Sequence, residues 1–113
     1  MEEKRNVKRF DEEIDGFISF KDPDDPSSLK SLSIKTVDVS LHGVKTVVSQ
    51  SLPAGSNLKI TLNLKRLKQV VKIEARVAWL KEREGENSYE MGIEFLHDTK
   101  TIENMHKYLY GER

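Results

Sequence analysis

Between Leu58 and Trp79 the chain alternates apolar and polar residues with a period of two. Leu58, Ile60, Leu62 and Leu64 interleave with Lys59, Thr61, Asn63 and Lys65; Val71, Ile73, Ala75, Val77 and Trp79 interleave with Lys72, Glu74, Arg76 and Ala78. Successive side chains of a strand point to opposite faces, so this pattern predicts two strands, each with one dry and one wet face. On a helix the same residues would be scattered around the axis. The dry faces must be covered, which commits the chain to a layered or closed β structure. In this phase Trp79 belongs with the core, with partial exposure at the strand end.

The flanking segments supply more strands. Ile14 to Phe20 is a first one, with Gly16 in the apolar phase marking a bulge or a close backbone approach. Lys21 to Ser28 holds Pro23 and Pro26 among aspartates and serines and predicts a mobile loop. Leu32 to Val39 is rich in β-branched residues, and Val44 to Val48 follows directly after Gly43, so a hairpin joined through Asp38 to Gly43 is expected. Leu52-Pro53-Ala54-Gly55-Ser56 and Glu84-Gly85-Glu86-Asn87 are turns, and Tyr89, Met91, Ile93 and Phe95 mark the last strand. The period then changes. Ile102, Met105 and Leu109 predict a helix from about Thr99 to Tyr110, capped by Asp98 or Thr99 and ended by Gly111. About six strands and one helix suggest a mainly β fold, an antiparallel barrel whose closure removes its exposed edges.

Composition narrows the function. The 113 residues suffice for one domain with a modest core. Nineteen basic residues balance nineteen acidic ones, against the large positive excess of a nucleic-acid coat. There is no cysteine for a disulfide or a thiolate ligand. No apolar run is long enough to cross a bilayer, and the N-terminus is charged from Glu2 onward, unlike a secretory leader, so a cytoplasmic protein is expected. His42, His97 and His106 are scattered and form no recognised metal set, and Ser40 near His42 lacks the strained turn of a nucleophile. Neither catalysis, a metal nor a cofactor is expected.

Two short stretches carry binding chemistry. In Asp38-Val39-Ser40-Leu41-His42-Gly43, Asp38 and Ser40 point to one face of an extended chain, and Gly43 is free to take a backbone conformation closed to other residues. In Arg5-Asn6-Val7-Lys8-Arg9, two guanidinium forks lie close together. Arginine pairs in bidentate fashion with guanine O6 and N7 and with phosphate oxygens, and stacks on flat rings. An ionised carboxylate accepts from guanine N1–H and the 2-amino group. Arginine pair, acid, hydroxyl and glycine together describe a guanine-nucleotide site. Each stretch alone has a plainer explanation: surface charge for the arginines, turn formation for the Asp-x-Ser-x-x-Gly. Residues 1–13 are nearly all charged or polar and are expected to form a flexible segment ahead of a barrel domain at 14–113.

In combination and order, these residues resemble the PilZ domain family, receptors for the bacterial second messenger cyclic di-GMP. That family has an Arg-x-x-x-Arg motif before its first strand and an Asp/Asn-x-Ser-x-x-Gly motif between the next two. Phe10, Arg76-Val77-Ala78-Trp79, Gly92-Ile93-Glu94-Phe95 and the terminal helix look similar as well. The resemblance implies a six-stranded antiparallel β-barrel with a C-terminal α-helix. It also implies roles: Arg5 and Arg9 on guanine edges and phosphates, Asp38 on a guanine edge, Ser40 hydrogen-bonding nearby, Gly43 keeping the turn open. Lys4 occupies a position that in the family influences whether one ligand or an intercalated pair binds, and is otherwise a surface charge. Trp79 could flank a guanine. The implied function is a cyclic di-GMP receptor that changes conformation and signals to an unidentified protein partner controlling motility, pili or exopolysaccharide, without DNA, RNA or membrane insertion. The alternatives are a protein-interaction adaptor on the same fold and a small barrel for single-stranded nucleic acid.

Overall fold

The alternating stretches form strands that wrap into a closed barrel. The computed structural model describes residues 14–22, 24–96 and 99–111. In chain order the elements are β1 (Asp15–Asp22), β2 (Asp25–Val39), β3 (Gly43–Val48), β4 (Asn57–Leu64), a 3-10 turn (Lys65–Leu67), β5 (Gln69–Arg83), β6 (Ser88–Phe95) and α1 (Thr99–Tyr110). Around the barrel the order is β1-β2-β3-β6-β5-β4, every pair antiparallel, with β1 and β4 closing the ring through Gly16↔Leu62 and Ile18↔Ile60. Among the described strands none is left as an open edge to template aggregation.

The period-two pattern sets the inside. Leu58, Ile60, Leu62 and Leu64 of β4 face Ile18, Phe20, Val71, Ile73, Ile93 and Phe95 across one core, all of them buried. Each such side chain contributes about 1.5–3 kcal/mol of burial. Gly16 is a close approach, as its place in the apolar phase predicts: a Cβ there would run into the Thr61 carbonyl of β4. The helix spans the predicted residues. It adds Met105, Tyr108 and Leu109 to the core, and the Arg66 guanidinium lies 4.0 Å over the Tyr108 ring while donating to the Tyr108 carbonyl at 2.6 Å. Asp98, the candidate cap, lies outside the described residues, as does the Ile102 side chain.

Three expectations need correction. Among its described residues Lys21 to Ser28 is strand except for a turn at Asp24: β1 runs to Asp22 and β2 starts at Asp25. The register shifts between Lys21 and Asp22, so Pro26 sits in an irregular stretch where a missing N–H breaks no ladder bond. Asp25 organises that stretch by accepting from the Ser27 hydroxyl at 2.7 Å and the Ser28 hydroxyl at 3.1 Å, which lower its carboxyl pKa. Trp79 leaves the core phase, because the β5–β6 register shifts between Val77 and Trp79. Gly43 is not in the left-handed region, which among the described glycines holds only Gly55 and Gly85. Gly43 is needed instead because a Cβ would strike the Ile93 carbonyl of β6.

Candidate functional site

The Asp38–Gly43 turn is held by its own serine. Ser40 N–H donates to the Gly43 carbonyl at 2.9 Å, the Ser40 hydroxyl donates to the same oxygen at 3.4 Å, and His42 N–H donates to Ser40 Oγ at 3.2 Å. Ser40 is buried. The His42 carbonyl accepts from Phe95 N–H at 2.8 Å, which ties the turn to β6. The hydroxyl that the sequence offers to a ligand is therefore first a structural part of the turn.

Two bulges shape the wall beside this turn. The β2–β3 register shifts between Thr36 and Asp38, and the β5–β6 register shifts between Val77 and Trp79. The second places Ala78 as an extra residue between the pairs Val77↔Ile93 and Trp79↔Gly92. The phase of β5 flips there. Val77 is inside, whereas Ala78 and Trp79 are both outside and Leu80 takes up the inward phase. Trp79 is 42% exposed. Its indole lies over Gly92, where a Cβ would collide with Nε1, Cε2 and Cδ1 of the ring. A glycine directly beneath the indole lets it settle against the sheet and leaves its remaining surface open.

The registers join these parts into one row. Asp38 pairs with Lys45, Lys45 with Gly92, and Gly92 with Trp79, across β2, β3, β6 and β5. At about 4.8 Å between strands the row spans about 14 Å. The next row runs from Gly43 through Glu94 to Arg76, whose side chains form an ion pair at 3.3 Å. Between the rows is a shallow cleft of about 210 Å³ lined by Ser40, His42, Gly43, Trp79, Gly92 and Glu94, among others.

The sequence-based site is therefore partly assembled on one surface: Asp38, Ser40, Gly43 and Trp79 come together. Lys4, Arg5 and Arg9 lie outside the described residues. The described chain nevertheless begins next to the site, because Ile14 N–H donates to Thr36 Oγ1 at 3.1 Å and Thr36 N–H donates to the Ile14 carbonyl at 3.1 Å. Lys45, Gly92 and Glu94 were not singled out as site residues by sequence, and His42 was weighed only as a ligand or base. Gly92 carried the available signal, a glycine inside a strand, in the polar phase between Glu90 and Glu94. Lys45 carried none, since its place depends on the bulge in β2. Among the described residues no group of His, Cys, Asp and Glu could hold a metal ion, and no helix is long and apolar enough to cross a membrane.

A closed six-stranded antiparallel barrel with an end helix and a glycine turn beside an outward tryptophan defines a class of small β domains. The model of the PilZ domain matches residues 3–111, and the chain belongs to the PilZ family. Solved structures agree on the fold. The inhibitor of motility MotI/DgrA from Bacillus subtilis superposes with a TM-score of 0.73 at 16% identity, over 94% of this chain and 49% of that one. The PilZ domain of YcgR from Escherichia coli, solved with c-di-GMP, gives 0.70 at 18% identity, over 96% of this chain and 90% of that domain. MrkH of K. pneumonia gives 0.67 at 17%, over 90% and 46%. The chain thus spans about half the length of MotI and MrkH. No curated protein matches it in sequence.

Proposed function

We propose that this chain is a receptor for cyclic di-GMP, with Arg5, Arg9, Asp38, Ser40 and Gly43 as its binding residues and Trp79 and Lys4 as flanking contacts. The observation that carries the proposal is the row Asp38–Lys45–Gly92–Trp79 beside the Ser40–Gly43 turn. It offers a carboxylate for a guanine edge, an ammonium for a phosphate and an exposed aromatic face for a base. Stacking on such a face contributes about 1–3 kcal/mol per base. Membership of the PilZ family and the fold shared with the c-di-GMP-bound YcgR domain support the same ligand.

The arginines are within reach. Ile14 is bonded to Thr36, two residues before Asp38. Arg9 precedes Ile14 by five residues, a tether of at most about 18 Å, and Arg5 by nine, at most about 32 Å. In this scheme the ligand lies on the row, and Arg5 and Arg9 close on its guanine and phosphate oxygens. The ligand shifts the population only by its differential affinity for the closed arrangement. The resulting surface signals to a protein partner, without making or breaking bonds. Control of motility, pili or exopolysaccharide is the output proposed here; among the similar structures MotI is an inhibitor of motility, and MrkH is a c-di-GMP-dependent transcription regulatory factor.

Calorimetric titration with cyclic di-GMP, cyclic di-AMP and GTP tests this. The expected result is selective binding of cyclic di-GMP, weakened on the order of ten- to hundredfold in both Arg9→Ala and Asp38→Ala, the loss expected for a charge-assisted hydrogen bond. Absence of binding by the intact chain would move the function to a nucleotide-independent protein adaptor on this fold.

A further inference from the structure

We infer that His42 is a further ligand-contacting residue, and that it makes capture of the dinucleotide depend on pH. The inference rests on the receptor reading above. His42 is exposed, lines the cleft with Ser40, Gly43, Trp79, Gly92 and Glu94, and has its backbone fixed on both sides. Its N–H is held by Ser40 Oγ at 3.2 Å and its carbonyl by Phe95 N–H at 2.8 Å. The imidazole thus springs from a fixed backbone at the lining of the cleft.

The charges around it give the position its leverage. On its own connection Asp38 is negative; from β3 comes Lys45, from β6 Glu94, and from β5 Arg76. Arg76 is paired with Glu94 at 3.3 Å, and Asp38 sits opposite Lys45 in the ladder. Around the cleft two acids thus offset two bases, Glu94 being the charged residue that lines it, and this described wall has no net charge for a ligand that carries two phosphodiester charges. Histidine is the side-chain type whose ordinary titration falls between pH 5 and 8. Protonating His42 is the change that turns this wall positive. An imidazolium attracts a phosphodiester where a neutral imidazole does not. Affinity is then greatest at low pH and falls as pH rises through the histidine range. Phosphodiesters and guanine do not titrate in that range, so the slope belongs to the protein.

Trp79 is the single tryptophan of the chain and lines the same cleft, so its fluorescence reports binding. Cyclic di-GMP would be titrated from pH 5.5 to 8.5 into the intact chain and into His42→Gln, His42→Lys and His106→Gln. The intact chain is expected to bind about three- to tenfold more weakly at the alkaline end, a linkage of up to about one pKa unit. His42→Gln should be flat at the weaker value, His42→Lys flat at the tighter one, and His106→Gln should keep the slope. A flat profile in the intact chain, or a slope that survives in His42→Gln, overturns the inference and leaves the receptor reading standing. Absence of binding at every pH overturns the receptor reading, and this inference with it.

Discussion

β5 meets two very different neighbours. Against β4 it pairs from Leu64↔Gln69 to Asn57↔Arg76 without a break, and its inward residues Val71, Ile73 and Ala75 are buried. Against β6 the register slips at Ala78, and Trp79 turns outward. The β4–β5 wall is regular because it has only to seal the core. The wall made by β2, β3, β6 and β5 contains two bulges, and the cleft lies where they bring Asp38, the Ser40–Gly43 turn and Trp79 to one surface. A bulge re-aims a side chain at the cost of a ladder bond. The difference teaches that local irregularity here marks candidate function, and regularity marks scaffold.

The comparison can be broken most forcefully in the scaffold. Ile60→Ala removes a fully buried side chain from the regular wall and should cost about 2–5 kcal/mol in denaturant-induced unfolding. On the site side, Gly43→Ala forces a Cβ against the Ile93 carbonyl, which is backbone and cannot swing aside. A loss of about 1–3 kcal/mol is expected by the same measurement. Gly92→Ala separates the two roles more finely. Its Cβ meets the indole of Trp79, a partly exposed side chain that can move away. Stability should change by less than about 1 kcal/mol, while tryptophan emission shifts and cyclic di-GMP affinity drops severalfold; unchanged emission would contradict the placement of the indole. Arg76→Ala breaks a half-exposed ion pair and should cost about 0.2–1 kcal/mol of stability at most. The smallest effect concerns acid. The Asp15 carboxyl is held below its ordinary value by the hydrogen bond and charge of Lys65, at 3.0 Å. Its folded-state pKa is depressed, so its contribution is present above about pH 4 and is lost as pH falls through the folded value. Lys65→Met should flatten that part of the acid stability profile slightly.

The regular half was largely legible in the sequence. Alternation in β4 and the first part of β5 fixed both strands and their inward faces, and the change to helical spacing located α1. Gly16 declared its close approach by sitting in an apolar phase. The irregular half was less legible because a bulge inserts one residue without altering the local pattern. Val77-Ala78-Trp79 reads as unbroken alternation, yet pairing with Ile93 and Gly92 makes Ala78 supernumerary. Lys21 to Ser28 was hidden for a related reason: two prolines and a cluster of aspartates suggest a loop, whereas β1 and β2 still pair at Lys21↔Leu29 and Asp22↔Asp25. Of the candidate site, Asp38, Ser40 and Gly43 were singled out by the two motifs in combination, and the turn they form is the one the structure shows. Lys45, Gly92 and Glu94 depend on register between distant strands, which no local window contains.

If the chain binds cyclic di-GMP as proposed, the ligand sits on the irregular wall. Titrating isotopically labelled protein with cyclic di-GMP and following backbone amides and the Trp79 indole N–H by NMR tests it most directly. The largest shifts are expected at Asp38 to Lys45, Gly92 and the Trp79 indole, with the β4 amides from Leu58 to Leu64 nearly unmoved. Shifts concentrated on α1 or on the turn at Glu84 to Asn87, with the Asp38–Gly43 stretch silent, would contradict it.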